Sequence, residues 1–393
     1  MIVVLKRLLS GWMRLVLPFM GWRVPVRLLC GPARESGREV RLLAAGGADW
    51  TVYVTGRFFA AEPVVEQTLY VPVWRLQKQV DEWQSRVDLV VIGIDRLSAQ
   101  VFLRRDYLRV PQWVSAWMHV PQNAGAFEQQ HSRTESDFRR VRKQGFESSL
   151  SKEAADFDVF YDQFYQPYLQ SRHQVAAPMA PRWMLRLVFR LGALQWETRK
   201  GVREAADLVV REGSYYVPVV TGLHEGREEL RRQGALVALY AHASQHARAL
   251  GCTRILLGGS KPSLHDGVLR YKRKWLDGLC EHDGHLSGNH VMLLRWNHWA
   301  GPVAEFLSHT ALIHHEHDGY SALWVFPAHL PLTAETLHKK IHELQVKGLR
   351  NLRIVLPGMP PPGFKAPPEV LCLELAAAEQ VGAGGISSYL VKP

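Results

Sequence analysis

Residues 194–223 read LQWETRKGVREAADLVVREGSYYVPVVTGL, and this stretch decides the fold. Three strand-like runs, Leu194–Thr198, Val202–Arg211 and Tyr215–Leu223, are separated by Lys200-Gly201 and Glu212-Gly213. Breaks of that length containing glycine predict tight hairpins, because the turn needs left-handed backbone that glycine adopts without steric cost. The period then changes. Leu236, Leu239, Tyr240, Ala243, Ala247 and Leu250 share one helical face, which predicts a helix from Gly234 to Leu250 capped by Gly251. Arg254–Leu257 follows as a short buried strand. The expected unit is an antiparallel meander, a crossover helix and a further strand parallel to the last one.

Working upstream, Ser151 is placed as an N-cap with Glu153 in the first turn. Phe157, Phe160, Tyr161, Phe164, Tyr165 and Tyr168 then form an aromatic stripe, read as core packing, with Pro167 loosening its last turn. An arginine-rich helix is expected at Glu135–Gln144, and Pro121–Gln130 reads as a polar connection. Residues 40–130 read as a mixed α/β unit, with strands at Trp50–Phe59, Thr68–Val73, Asp88–Ile94 and Gln100–Leu108 and a helix over Leu76–Val87. Beyond Trp296, a strand at Tyr320–Phe326, a helix at Thr333–Lys347 and a strand at Leu352–Val355 precede a proline-rich loop. The expected organisation is a basic amphipathic segment (1–34), an α/β domain (35–130), a central domain (131–296) and a C-terminal α/β appendage (297–393).

The length of 393 residues suits two or three units, and 47% hydrophobic with 22% charged residues is ordinary for a globular chain. Lys and Arg total 48 against 37 acidic residues, a net charge of +11 that favours anionic partners: phosphorylated cofactors, nucleic acid or acidic lipid. Cys30, Cys252, Cys280 and Cys372 form no CxxC pair, so neither a zinc knuckle nor a disulfide framework is indicated, a pattern that suits a reducing cytoplasm. Met1–Arg34 has no acidic residue. Arg14 and Pro18 interrupt its apolar run, which falls short of the roughly 20 residues a spanning helix needs. It reads either as an interfacial amphipathic segment or as an element packed on the body.

Two constellations could carry chemistry. Arg231-Arg232-Gln233-Gly234-Ala235 opens a helix, where unpaired N–H groups and the dipole make a cradle for pyrophosphate; the plainer reading is a solvated turn. Gly258-Gly259-Ser260-Lys261-Pro262, His265-Asp266-Gly267 and Tyr271-Lys272-Arg273-Lys274-Trp275 follow a strand end, where α/β sheets bind ligands. There Asp266 and His265 can handle protons, and Lys272 or Lys274 can meet an oxyanion or phosphate. His314-His315-Glu316-His317-Asp318 lacks the helical spacing of a metal pair and reads as a polar turn, so no metal is expected. No G-x-S-x-G elbow is present.

In order along the chain, Arg139-Arg140-Val141-Arg142-Lys143-x-Gly145-Phe146, Phe157-x-x-Phe160-Tyr161, Tyr165-x-Pro167-Tyr168 and Arg172-His173 resemble the FemAB-like acyltransferases found with bacterial cell-envelope and polysaccharide genes. So do Gly234-Ala235-x-x-Ala238-Leu239-Tyr240, the Gly258-Gly259-Ser260-x-Pro262 loop and Asp266-Gly267-Val268-Leu269-x-Tyr271-Lys272-Arg273-Lys274-Trp275. The resemblance implies a GNAT-type mixed α/β sheet with flanking helices, in two GNAT-like halves plus the appendage. It implies an acyl donor, acetyl-CoA above all, held between two splaying strands, with no metal. Arg231, Gly234, Ala235 and Ser260 would hold its phosphates. Lys272 would stabilise the oxyanion and Asp266 or His265 would relay the proton. Arg172, His173, Tyr168 and Lys274 would face the acceptor, an amine or hydroxyl of a sugar or lipid-linked sugar at the cytoplasmic side of the inner membrane. The sequence departs from the family at Leu276, where the related peptidoglycan-bridge enzymes carry glycine after the aromatic-Lys-x-x-aromatic stretch. The loop Arg231-x-x-Gly234-Ala235 is likewise a degenerate form of the acetyl-CoA loop. An aminoacyl-tRNA donor and a non-catalytic scaffold for polysaccharide synthesis are the competing expectations; no long charged helical hairpin for tRNA is evident.

Overall fold

The computed structural model describes residues 23–121, 135–173, 179–281, 290–299, 301–316 and 318–378, with main chain alone at 48–51 and 172–173. The opening segment before Arg23 and nearly all of the Pro121–Gln130 connection lie outside the described residues. Contacts divide the chain into two compact units. One takes the described residues up to Val114, Gly259–Arg270 and those from Leu279 on; the other takes Ser115–Gly258 and Tyr271–Gly278.

In the first unit a six-stranded sheet runs in the order Val64–Pro72, Arg23–Pro32, Glu39–Gly46, Leu89–Asp95, His290–Trp296, Leu108–Pro111. Leu89–Asp95 is buried along its whole length, as an apolar run covered on both sheet faces should be. One face packs Val24, Val26, Leu43, Leu76, Val80, Ile92 and Ile94. The other packs Leu42, Leu89 and Phe58 with Phe306, Leu323 and Val355. The last three belong to the segment expected as an appendage, whose strands Leu312–Glu316, Gly319–Val325, Leu349–Leu356 and Val370–Glu374 form a four-stranded sheet. That segment therefore shares one core with the N-terminal α/β unit. Of the basic opening segment, Arg23–Pro32 is an inner strand with Val24 and Val26 fully buried.

Several local expectations are corrected. Trp50–Phe59 is not a strand but lies in the helix Ala48–Phe58, where Val54 and Phe58, one turn apart, reach the core and tertiary burial overrides β-branched propensity. Gln100–Leu108 is replaced by a helix, Arg96–Phe102, whose N-cap Asp95 accepts from Ser98 N at 2.9 Å, and by the strand Leu108–Pro111. Ser151 closes the strand Phe146–Ser151, and the helix starts at Ala154. His314 and His315 lie in the strand Leu312–Glu316, pointing to alternate faces, rather than in a turn.

The second unit is built on a seven-stranded sheet ordered Gly278–Glu281, Val114–His119, Arg254–Ser260, Tyr215–Leu223, Val202–Glu212, Gly192–Arg199, Phe146–Ser151. The meander, helix and parallel strand expected from residues 194–257 are all present. Lys200 and Gly201 turn with φ of 52° and 77°, the left-handed pair that a two-residue hairpin requires. On one face Leu194, Trp196 and Leu208 pack against Phe157, Phe160 and Phe164. A π turn at Phe160–Tyr165 directly precedes Pro167, whose missing N–H interrupts the regular ladder. On the other face lies the helix Ala235–Ala249, and Gln195 Nε2 donates to Leu239 O at 3.0 Å across the layer. Among the described residues no helix is long and apolar enough to cross a membrane.

Candidate functional site

Tyr215–Leu223 and Arg254–Ser260 run parallel but pair only through Tyr215 with Arg254 and Tyr216 with Ile255. Beyond Tyr216 the pairing stops, while the same strand stays joined to Val202–Glu212 as far as Leu223 opposite Ala205. Pro218, two residues past the last paired position, has no N–H to give a neighbour, and on the opposite edge the register with Val202–Glu212 shifts between Pro218 and Val220. Two parallel strands that separate leave main-chain N–H and C=O groups facing the gap, where an extended ligand can bind them.

Buried polar side chains lie behind the gap. One strand away from it, on Val202–Glu212, Asp207 stands opposite Thr221, whose Oγ1 donates to Asp207 Oδ1 at 2.5 Å. Burial raises the Asp207 pKa to about 7; the Thr221 bond works against that shift and the Glu197 carboxylate adds to it. Asp207 therefore exchanges a proton near neutrality, the property a general acid or base needs. Glu197 is fully buried and accepts from Gln195 Nε2 at 2.9 Å and Ser148 Oγ at 2.7 Å, and His242 Nδ1 lies 2.6 Å from its Oε2. His246 Nε2 is 2.9 Å from Ser148 Oγ, and burial lowers its pKa. This polar layer separates the sheet from the Ala235–Ala249 helix.

The other parted strand is met by Lys272, the last residue of the helix Gly267–Lys272; its side chain is buried and its Nζ donates to Gly258 O at 2.9 Å. Around it Tyr240 stacks on Trp275 with ring centroids 5.6 Å apart, Phe138 meets Trp275 edge-on at 5.4 Å, and Tyr271 sits 6.1 Å from Tyr240. Lys274 Nζ reaches Asp137 Oδ2 at 3.1 Å and lies 5.9 Å from the Tyr271 ring. Burial drives the Tyr240 and Tyr271 hydroxyls upward, with the Tyr168 hydroxyl adding to both shifts. Arg231, also close to Tyr168 and Tyr271, bonds Glu228 through Nε at 2.7 and 2.9 Å. The structure thus brings Tyr168, Arg231 and Lys274 into one aromatic neighbourhood and sets Lys272 on the Gly258 carbonyl.

Gly234 has φ of 102°, ends the helix Glu228–Gln233 and starts Ala235–Ala249, with no side chain capping the new helix. A Cβ there would lie 3.4 Å from Arg140 Cδ, so this glycine serves the backbone bend. Gly234 and Ala235 are buried, whereas Arg232 is exposed with no side-chain partner among the described residues. Ser260, the last residue of its strand, is buried, and its Oγ has no partner among the described residues. Asp266 and His265 belong to the first unit. Asp266 Oδ1 accepts from Val268 N at 3.1 Å and Leu269 N at 2.9 Å, which caps the helix Gly267–Lys272. His265 Nδ1 lies 2.8 Å from His309 O, and desolvation lowers its pKa. Arg172 and His173 end the helix Gln166–His173, and their side chains lie outside the described residues.

No protein-family model and no curated protein matches the chain. Among solved structures it is similar to L-PGS from Bacillus licheniformis, at 10% identity over 70% of this chain and 86% of that one, with a TM-score of 0.31. It is similar to FemX at 11% identity over 72% and 90% of the two chains, with a TM-score of 0.36. A GCN5-related N-acetyltransferase from Kribbella flavida is similar at 7% identity over 77% and 61%, with a TM-score of 0.28. Likeness of this strength assigns neither substrate nor reaction. Asp207 and the parting at Pro218 are absent from the site read in the sequence. Both left a signal there: a carboxylate in the apolar run Ala205-Ala206-Asp207-Leu208-Val209-Val210, and a proline inside a strand-like run.

Proposed function

We propose that the chain is an acyltransferase that moves an acyl group from acyl-CoA to an amine or hydroxyl of a sugar or cell-envelope precursor. The observation that carries this reading is the parting of Tyr215–Leu223 from Arg254–Ser260, with Lys272 bonded to Gly258 O on one parted strand and buried Asp207 bonded to Thr221 of the other. The acyl chain and pantetheine arm lie extended along the free strand edges. The phosphates meet the uncapped start of the Ala235–Ala249 helix, with Arg231 and Arg232 beside it. The acceptor nucleophile gives its proton to ionised Asp207 as it attacks the thioester carbonyl. A C–N or C–O bond forms, the C–S bond breaks and the CoA thiolate leaves. Lys272 supplies positive charge where the oxyanion develops. Asp207 takes the proton role in place of Asp266, whose carboxylate caps a helix. Acetyl-CoA is the first donor to test, and the cytoplasm the expected compartment.

The test is calorimetric titration of the protein with acetyl-CoA and longer acyl-CoAs, repeated on the double variant Arg231→Glu/Arg232→Glu. Saturable binding, weakened by tenfold or more in the variant, supports the reading. Lys272→Met, which keeps the buried stem, is expected to bind the donor while losing turnover by roughly a hundredfold or more. Folded protein that binds no acyl-CoA sinks the reading and turns the question to an aminoacyl-tRNA donor.

A further inference from the structure

The helix Arg182–Phe189 of the second unit carries two apolar faces where a surface helix needs one. Its inner face is accounted for: Leu185 and Phe189 are 1% and 7% exposed in the core beside Phe157. Its outer face is not. Trp183 is 70% exposed and Leu187, one turn on, 49%; Met179 and Leu191 continue the four-residue interval beyond each end at 40% and 48%. Isolated exposed apolar side chains need no explanation, but two on one helix face with another at each flank form an exposed apolar patch.

Three arginines flank the stripe against two aspartates, Asp158 and Asp162, a net positive balance. From Gln163 to Trp196 the sequence has no acidic residue, while Arg182, Arg186 and Arg190 recur beside the stripe at the same four-residue interval. Arg182 pairs with Asp158 at 2.9 Å and also with Asp162; Arg186 pairs with Asp158. Arg182 also lies over the Tyr161 ring and Arg186 over Phe157, at 4.5 and 5.1 Å, which holds both guanidinium groups at the flanks of the helix. Arg190 has no side-chain partner among the described residues.

We infer that this face docks on a lipid bilayer surface carrying anionic headgroups, with Trp183, Leu187 and Leu191 entering the headgroup–acyl boundary and the arginines at phosphate level. An indole flanked by leucines and arginines on a short helix is the composition that partitions into that boundary. The chain's net charge of +11 draws it to an anionic surface. A second copy fits less well. The stripe exposes on the order of 400 Å², about half of what each partner buries in a stable protein interface. The inference stands independently of the acyl-transfer reading, although a lipid-linked acceptor would be reached from this position.

Flotation of the full-length protein with phosphatidylcholine vesicles, with and without one quarter phosphatidylglycerol, tests it. The protein is expected to float with the anionic vesicles, and Trp183→Glu/Leu187→Glu to lose that binding by tenfold or more. The variant should keep its circular dichroism and melting temperature, since both side chains already face water. Trp183→Phe should retain binding and Arg190→Glu weaken it. Failure of the protein to bind anionic vesicles, or undiminished binding by the double variant, overturns the inference. So does sedimentation showing a dimer that the double variant dissociates, which would make the stripe a contact between copies.

Discussion

Asp207 shows how one residue's chemistry is set by its surroundings. Its sequence neighbours describe only an apolar strand; burial, Thr221 and Glu197 hold its proton near neutrality. If Asp207 is the base, the rate of acyl transfer rises through about pH 7 as the carboxylate forms. Asp207→Asn should abolish that limb and slow turnover by roughly a hundredfold to ten-thousandfold, while donor affinity in calorimetry stays unchanged. A preserved rising limb in Asp207→Asn would move the proton role elsewhere. Lys272 was legible as a candidate from its motif; its bond to Gly258 O, which fixes the direction of its charge, was not. Asp266 was legible as a carboxylate but not as a cap, because an Asp-Gly pair before an apolar run suits a turn and a helix start equally.

Among elements, the parted strand and the aromatic helix depend on one glycine. A Cβ on Gly222 would sit 2.7 Å from the Phe164 carbonyl carbon and 2.8 Å from Tyr165 N, main-chain atoms that cannot swing aside. Gly222→Ala should therefore cost about 3 kcal/mol in chemical denaturation, the upper range for overpacking. Gly251→Ala is the control: φ is 67° but nothing lies within 4 Å, so only the left-handed penalty of about 1–2 kcal/mol applies. Equal losses at the two sites would mean that the Gly222 contact relaxes. The three hairpin strands were readable because alternation and turn glycines are local. The helix Ala48–Phe58 was not readable because Val52, Tyr53 and Val54 favour a strand locally, and only burial of Val54 and Phe58 in the core overrides that preference.

For the whole molecule, two buried titrations oppose each other. Asp207 has a folded pKa raised from 3.8 to about 7, so its contribution is full at low pH and is lost as pH rises through 7. The loss is on the order of 4 kcal/mol between those limits, at about 1.4 kcal/mol per unit. His314 and His315 are pushed down to about 4, His314 by burial and Arg353, His315 by burial and Arg96. Their contribution is present above 6.5 and lost as pH falls through 4. Two histidines outweigh one carboxyl, so these groups together should raise wild-type stability by on the order of 1 kcal/mol from pH 5 to 7. Asp207→Asn removes the first titration, so its melting temperature should gain on wild type from pH 5 to about 7 and then level off; a constant difference between pH 5 and 7 would contradict the shift. By itself the sequence determined the meander, the crossover helix, the parallel strand and the aromatic stripe, because each is written in spacing within about a dozen residues. Only the tertiary structure decided that residues beyond Trp296 complete the N-terminal core, that two strands part beyond Tyr216 and that Asp207 lies buried one strand away. Those facts depend on contacts between residues far apart in the chain, and on burial, neither of which has a local period to read.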